Sequence, residues 1–174
     1  MLWRGVISLL ICVVMSSYAC AQEKPLIWPV PPHFPSDLKE LRITLVRTSC
    51  FGFCPDYSVR IYGDGRVVYE GRQLVKIRGK REGFLSIEAV RQLVHQFFAA
   101  DYFSSRSYYG NCGGDLPTVV TSIDWPGVSR KVTDCGEAGV VRTIPPALGE
   151  LEAAIDTTVN SQQWVGTDKE RLRN

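Results

Sequence analysis

Branched apolar and polar residues alternate through Arg42-Ile43-Thr44-Leu45-Val46-Arg47, which predicts a half-buried strand at the start of the folded region. A clearer alternation runs over residues 57–71, YSVRIYGDGRVVYEG, where two strand patterns flank Gly63-Asp64-Gly65. The loop length follows from the register that sorts the side chains. A two-residue turn at Asp64-Gly65 sets Val59 opposite Glu70 and mixes both faces. A three-residue loop over Gly63, Asp64 and Gly65 sets Ile61 opposite Val67 and Val59 opposite Tyr69, and collects Ser58, Arg60, Arg66 and Glu70 on the other face. A one-residue slip reverses every side chain, so the three-residue loop is predicted, with Gly65 as its left-handed residue. Residues 73–80 alternate again and predict a further strand, whose KIRGKR run reads as a solvated or lysine-guarded sheet edge in preference to an anion-binding patch.

The period then changes. Ser86 is placed to cap a helix over residues 87–100, with Ile87, Val90, Val94, Phe97 and Phe98 at helical spacing and His95 on the polar face. A Tyr- and Gly-rich loop, residues 108–115, precedes a second hairpin, 118–124 with 128–133, in which Ile123 is set opposite Val128 and Val119 opposite Val132. Pro145 and Pro146 open a last helix with Leu148, Leu151, Ile155 and Val159 as its buried stripe, and the charged tail from Thr167 onward is expected to fray. The pattern predicts an α+β fold: an antiparallel sheet of five or six strands with two helices packed on one face, in the order β-β-β-β-α-β-β-α.

Composition assigns the compartment. Arg4, an apolar run from Val6 to Met15, and Ala19-Cys20-Ala21 are the three parts of a secretory signal, so residues 1–21 are read as a signal peptide. The apolar run is shorter than the about 20 residues that span a bilayer. In the alternative reading the chain is cut before Cys20, which then carries a lipid anchor, although Ser17 stands where that pattern wants a Leu-like residue. Residues 22–40 read as a linker, since residues 24–35 carry prolines 25, 29, 31, 32 and 35 and favour extended backbone; Trp28 and Phe34 are placed to fold back. Residues 41–160 form one domain, and 161–174 a polar tail. Removing the signal removes Arg4 alone among its charges, taking the net charge from +2 to +1. A nearly neutral domain has no field to gather nucleic acid. The expected partner is an envelope or extracellular protein or glycan, with membrane contact only through a lipidated Cys20, and no cofactor is expected.

Four cysteines remain in the body of the chain: Cys50, Cys54, Cys112 and Cys135. In an oxidising compartment they imply two disulfides. The second hairpin brings Cys112 and Cys135 to one end of the ladder, and Gly52 allows the turn that joins Cys50 to Cys54. A competing reading takes Cys50-x-x-x-Cys54-Pro55 as a copper or thiol-redox site, since two thiolates and an imidazole suit soft copper. That segment usually opens a helix, whereas here the alternation from Tyr57 follows at once, and only His33 and His95 are on offer as a third ligand. Asp115, Asp134 and Glu137 gather near the second pair and permit a carboxylate-dependent hydrolase or a hard-cation site; turn chemistry produces the same residues. No nucleophile elbow or phosphate loop is present. The leading expectation is therefore a non-catalytic binding or structural module. Its contact surface is built from Phe51 and Phe53 or from Tyr108, Tyr109 and Asp115, and Gly52, Pro55, Gly63, Asp64 and Gly65 shape the turns.

The run RTSCFGFCPDYSVRIYGDGRVVYEG resembles the start of an exported bacterial domain family of unknown function, with R-x-x-CFGxCPxY, then V-x-I, a glycine turn and V-x-Y-x-G. The matching positions are Arg47, Cys50, Phe51, Gly52, Cys54, Pro55, Tyr57, Gly65, Tyr69 and Gly71, and the likeness extends over residues 41–160. The resemblance implies no activity. Within it Cys112 and Cys135 are an addition, which implies that the Cys50–Cys54 pair is self-contained.

Overall fold

The computed structural model describes residues 32–112, 116–136 and 144–172. The signal region with Cys20, and Trp28, Asp115 and Glu137, lie outside the described residues. The elements are β1 (Arg42–Arg47), β2 (Asp56–Tyr62), β3 (Arg66–Gln73), β4 (Gly79–Phe84), α1 (Ile87–Ala99), β5 (Tyr108–Gly110), β6 (Thr118–Trp125), β7 (Val128–Cys135), α2 (Pro146–Val159), α3 (Gln162–Val165) and α4 (Asp168–Arg171). The strands form one seven-stranded sheet in the order β4-β3-β2-β1-β6-β7-β5. Only β5 joins its neighbour in parallel; the other pairs are antiparallel. The fold is thus α+β as expected, with more strands than the five or six anticipated, because the short β5 and an unforeseen parallel pairing were hidden in the Tyr/Gly-rich loop.

The first hairpin has the predicted register, Ile61 opposite Val67 and Val59 opposite Tyr69. Gly65 adopts φ +87°, and the Asp64 carboxylate accepts from the Arg66 N–H at 3.0 Å. Gly63 lies against the Leu38 carbonyl and leaves no room for a Cβ. Inward residues Ile43, Leu45, Val59, Ile61, Val67 and Tyr69 share one core with Val90, Leu93, Val94 and Phe97 of α1 and Leu148, Leu151 and Ile155 of α2. The opposite face carries the cross-strand row Val68, Arg60, Thr44, Ser122 and Lys131, and none of these is buried. An antiparallel sheet tolerates such a one-sided burial because its outer face is free to be polar. Ser86 caps α1 by accepting from the Ala89 N–H, as its position predicted. Phe34 does fold back, stacking on the His95 ring at 4.3 Å.

Three expectations are corrected. The second hairpin pairs Trp125 with Val128 and Val119 with Asp134, two residues from the predicted register; an even slip keeps each side chain on its face, so the apolar pattern could not detect it. The fourth strand begins at Gly79, not Gln73. Residues 74–78 instead form a loop in which the Lys76 and Ile77 N–H groups donate to the Val165 and Trp164 carbonyls. The described part of the tail, as far as Leu172, is helical where fraying was expected: Thr167 and Glu170 form a capping box that starts α4.

Candidate functional site

The chain concentrates its loops and both disulfides at one end of the sheet. There β1 ends at Arg47 and β2 begins at Asp56, with the Cys50–Cys54 bridge closing the loop between them. Two strands away, Cys112–Cys135 ties the segment after β5 to the end of β7, so both pairings are as expected, this one from the second hairpin and Cys50–Cys54 from the turn at Gly52. Thr48 and Thr118 exchange hydrogen bonds of 3.0 Å at this end, joining the first loop to β6.

Beneath the Cys50–Cys54 loop lies a polar cluster that the sequence reading missed. Arg47 and Tyr57 are directly opposite one another on the inward face of β1 and β2. Both reach Asp156 in the last turn of α2. The Arg47 Nε donates to Oδ2 at 2.8 Å, the Tyr57 hydroxyl donates to Oδ1 at 2.8 Å, and the Ser161 hydroxyl donates to the same Oδ1 at 2.6 Å. Ser161 is delivered there by Asn160, which ends α2 in the left-handed conformation at φ +51°. Burial opposes the Arg47 charge, but the Asp156 carboxylate together with Tyr57 and Glu152 holds the guanidinium above its ordinary pKa. Burial first, and the same carboxylate second, push the Tyr57 hydroxyl up, so it remains a protonated donor at neutral pH. This cluster has the chemistry of an anchor: it fixes both roots of the loop to α2.

Other residues of the same run serve the scaffold. The Tyr69 ring stacks on Trp164 of α3 at 5.1 Å, and its hydroxyl donates to the Ile77 carbonyl at 3.2 Å. Burial raises that hydroxyl to a pKa of about 12. At Gly71 a Cβ would fall 2.3 Å from the Ile77 carbonyl oxygen, so only glycine lets the 74–78 loop close over β3. Gly52 takes φ +153°, which L side chains rarely adopt, and makes the bend within the bridge.

Phe51 and Phe53 take no such part. Phe51 is 92% exposed and Phe53 67% exposed, held out by the bridge and by Pro55 at its foot. Phe53 faces Leu74 and the Asp168, Arg171 and Leu172 side of α4. The remaining expected contact residues do not join them. Tyr108 is exposed but sits on β5 at the far edge, with β6 and β7 between it and β1, on the order of 14 Å away at ~4.8 Å per strand. Tyr109 is buried, its hydroxyl accepting from the Arg106 N–H, and is removed from the contact surface: a strand alternates its faces, and the tyrosine pair straddles the two. Asp134 is buried opposite Val119 and is not presented as a surface carboxylate.

Three cations of β3, the 74–78 loop and α4 are paired: Arg72 with Asp56, Lys76 with Glu170 at 2.8 Å, and Arg171 with Asp168. The hydrogen bond to Lys76, followed by those from Thr167, lowers the Glu170 carboxyl to about 2. Its contribution to holding α4 is therefore complete above the usual carboxylate range and is lost only as pH falls towards that value. Cys50 and Cys54 are joined, which leaves neither thiolate as a ligand in this state. No helix among the described residues is long and apolar enough to cross a membrane.

No curated protein matches the chain. Residues 41–159 match the family model of a domain of unknown function, DUF6438, and the chain belongs to that family.

Proposed function

We propose that the protein is an exported, non-catalytic binding module whose contact surface is the Cys50–Cys54 loop, and that its partner is an extracytoplasmic protein with an apolar surface. The observation that carries this reading is the pair of aromatic side chains, 92% and 67% exposed, on a loop closed covalently and rooted in a half-buried ion pair. Exposed rigid aromatics contribute affinity with little ordering cost, because the covalent loop has already lost its freedom. Arg72, Lys76 and Arg171 are each engaged by a carboxylate and so offer little free charge to a polyanion or an anionic lipid surface, which favours apolar contact as the source of affinity. Two disulfides fit the oxidising compartment in which such a module works.

The test is retention of a partner from envelope extract on the immobilised protein, compared with Phe51→Ser/Phe53→Ser and with Cys50→Ser/Cys54→Ser. The double serine variant is expected to melt within about 0.5 kcal/mol of the parent, since neither ring is in the core. Its partner affinity should fall at least ~100-fold. Losing the short bridge should cost about 2 kcal/mol on the loop-entropy account. That variant stays folded but loses most of the retention, because the rings are no longer held out. Undiminished retention by the phenylalanine variant would overturn the reading.

A further inference from the structure

The two phenylalanines are not equivalent: Phe51 projects into solvent, whereas Phe53 forms one wall of a slot of about 90 Å³ completed by Leu74, Asp168, Arg171 and Leu172. We infer that this slot is the anchor subsite of the contact surface and takes one aliphatic side chain, leucine, isoleucine or valine, from a protein partner. The inference rests on the contact-surface reading and deepens it by naming what the partner presents.

Each wall is fixed before any ligand arrives. Phe53 is set by the Cys50–Cys54 bridge. Leu74 stands at φ +49°, a left-handed conformation costly for a leucine, and is held there by its neighbours: Val75 is fully buried, and the next two N–H groups are bonded to α3. The third wall, α4, is started by its capping box and tied to the loop by Lys76 and Glu170. The segment that supplies α3 and α4 lies beyond residues 41–159, so this wall is built by chain outside the matched domain.

Size and polarity then select the occupant. A cavity of about 150 Å³ is what benzene fills, and a water's share of liquid volume is about 30 Å³. A slot of about 90 Å³ is therefore too small for an aromatic or sugar ring and suits a short branched chain. Among the described residues, three of its walls are apolar side chains, and the charged ones, Asp168 and Arg171, bind each other. A phosphate or carboxylate headgroup would have to break that pair, whereas a methyl-bearing side chain leaves it intact.

The probes are N-acetyl-leucine methylamide, the phenylalanine and glycine analogues, and octanoate, titrated into the full exported chain while the amide signals of Phe53, Leu74 and Leu172 are followed by NMR. The leucine amide should give saturable shifts at these three residues with at least tenfold stronger binding than the glycine amide. Leu172→Trp, a change at an exposed position that fills the slot, should abolish the shifts without moving the melting temperature. No saturable shift, equal response to phenylalanine, or stronger response to octanoate, which would point to an acyl chain, each overturns the inference. A silent slot in a protein whose partner retention still depends on Phe51 and Phe53 defeats the subsite alone. Retention that ignores both rings defeats the contact-surface reading itself.

Discussion

Asp156→Ala is expected to destabilise the protein by about 3 kcal/mol, the low end for breaking a buried pair because both partners keep some solvent contact. The loss has three parts. The Arg47 guanidinium loses its counter-charge, and the Tyr57 and Ser161 hydroxyls lose the acceptor both now use. Asp156→Asn keeps the shape and one acceptor oxygen but not the charge, so it should fall between the parent and the alanine variant. Chemical denaturation of all three measures the order. Because Arg47 and Tyr57 are the roots of the Cys50–Cys54 loop, amide exchange in residues 48–55 should rise in Asp156→Ala more than in the distant turn at Gly63–Gly65. Equal stability of the alanine variant would mean that the cluster merely fills space.

Trp164→Ala is expected to cost about 3–5 kcal/mol, the range for removing a buried tryptophan. Trp164 is buried, stacks on Tyr69, and lies close to Gly83 of β4, where a side chain on that glycine would meet the indole. Its own carbonyl accepts from Ile77, so the residue joins α3, the 74–78 loop and the edge strand in one contact. Thermal melting of the variant should show the large loss. A cost below about 1 kcal/mol would mean that the segment after Val159 is an ornament on an independently stable domain, which the position of Trp164 over the sheet contradicts.

These two residues also mark where sequence patterning stops. The first hairpin was legible because Val59, Ile61, Val67 and Tyr69 fall on one face in only one register. The Cys112–Cys135 pairing followed from the ladder of the second hairpin, and Cys50–Cys54 from its short spacing and the turn at Gly52. Asp156 was not legible, because an acid beside Ile155 reads as the solvent side of a helix. The signal that could have found it was Arg47, which continues the inward positions 43 and 45 and so requires a buried acceptor. Trp164 stood alone after Ser161-Gln162-Gln163, and a single aromatic has no period to read. Residues 73–80 alternated without being a strand: Val75 is buried by contacts made elsewhere in the fold, and the true edge strand, GKREGF, shows the core only Gly83 and needs no apolar alternation. Of the expected surface, Phe51 and Phe53 are exposed where the turn chemistry placed them, while Tyr109 was lost to a strand too short to announce itself.

The contact surface is tested most directly by placing a photo-crosslinking phenylalanine analogue at position 51, and in parallel at Arg60, an exposed site on the open sheet face. Irradiation in envelope extract should join position 51 to one discrete protein, in competition with added parent protein but not with the Cys50→Ser/Cys54→Ser variant, while position 60 gives no such adduct. Matching adducts from both positions, or competition by the bridge-less variant, would contradict the claim that a disulfide-held pair of phenylalanines is what the partner recognises.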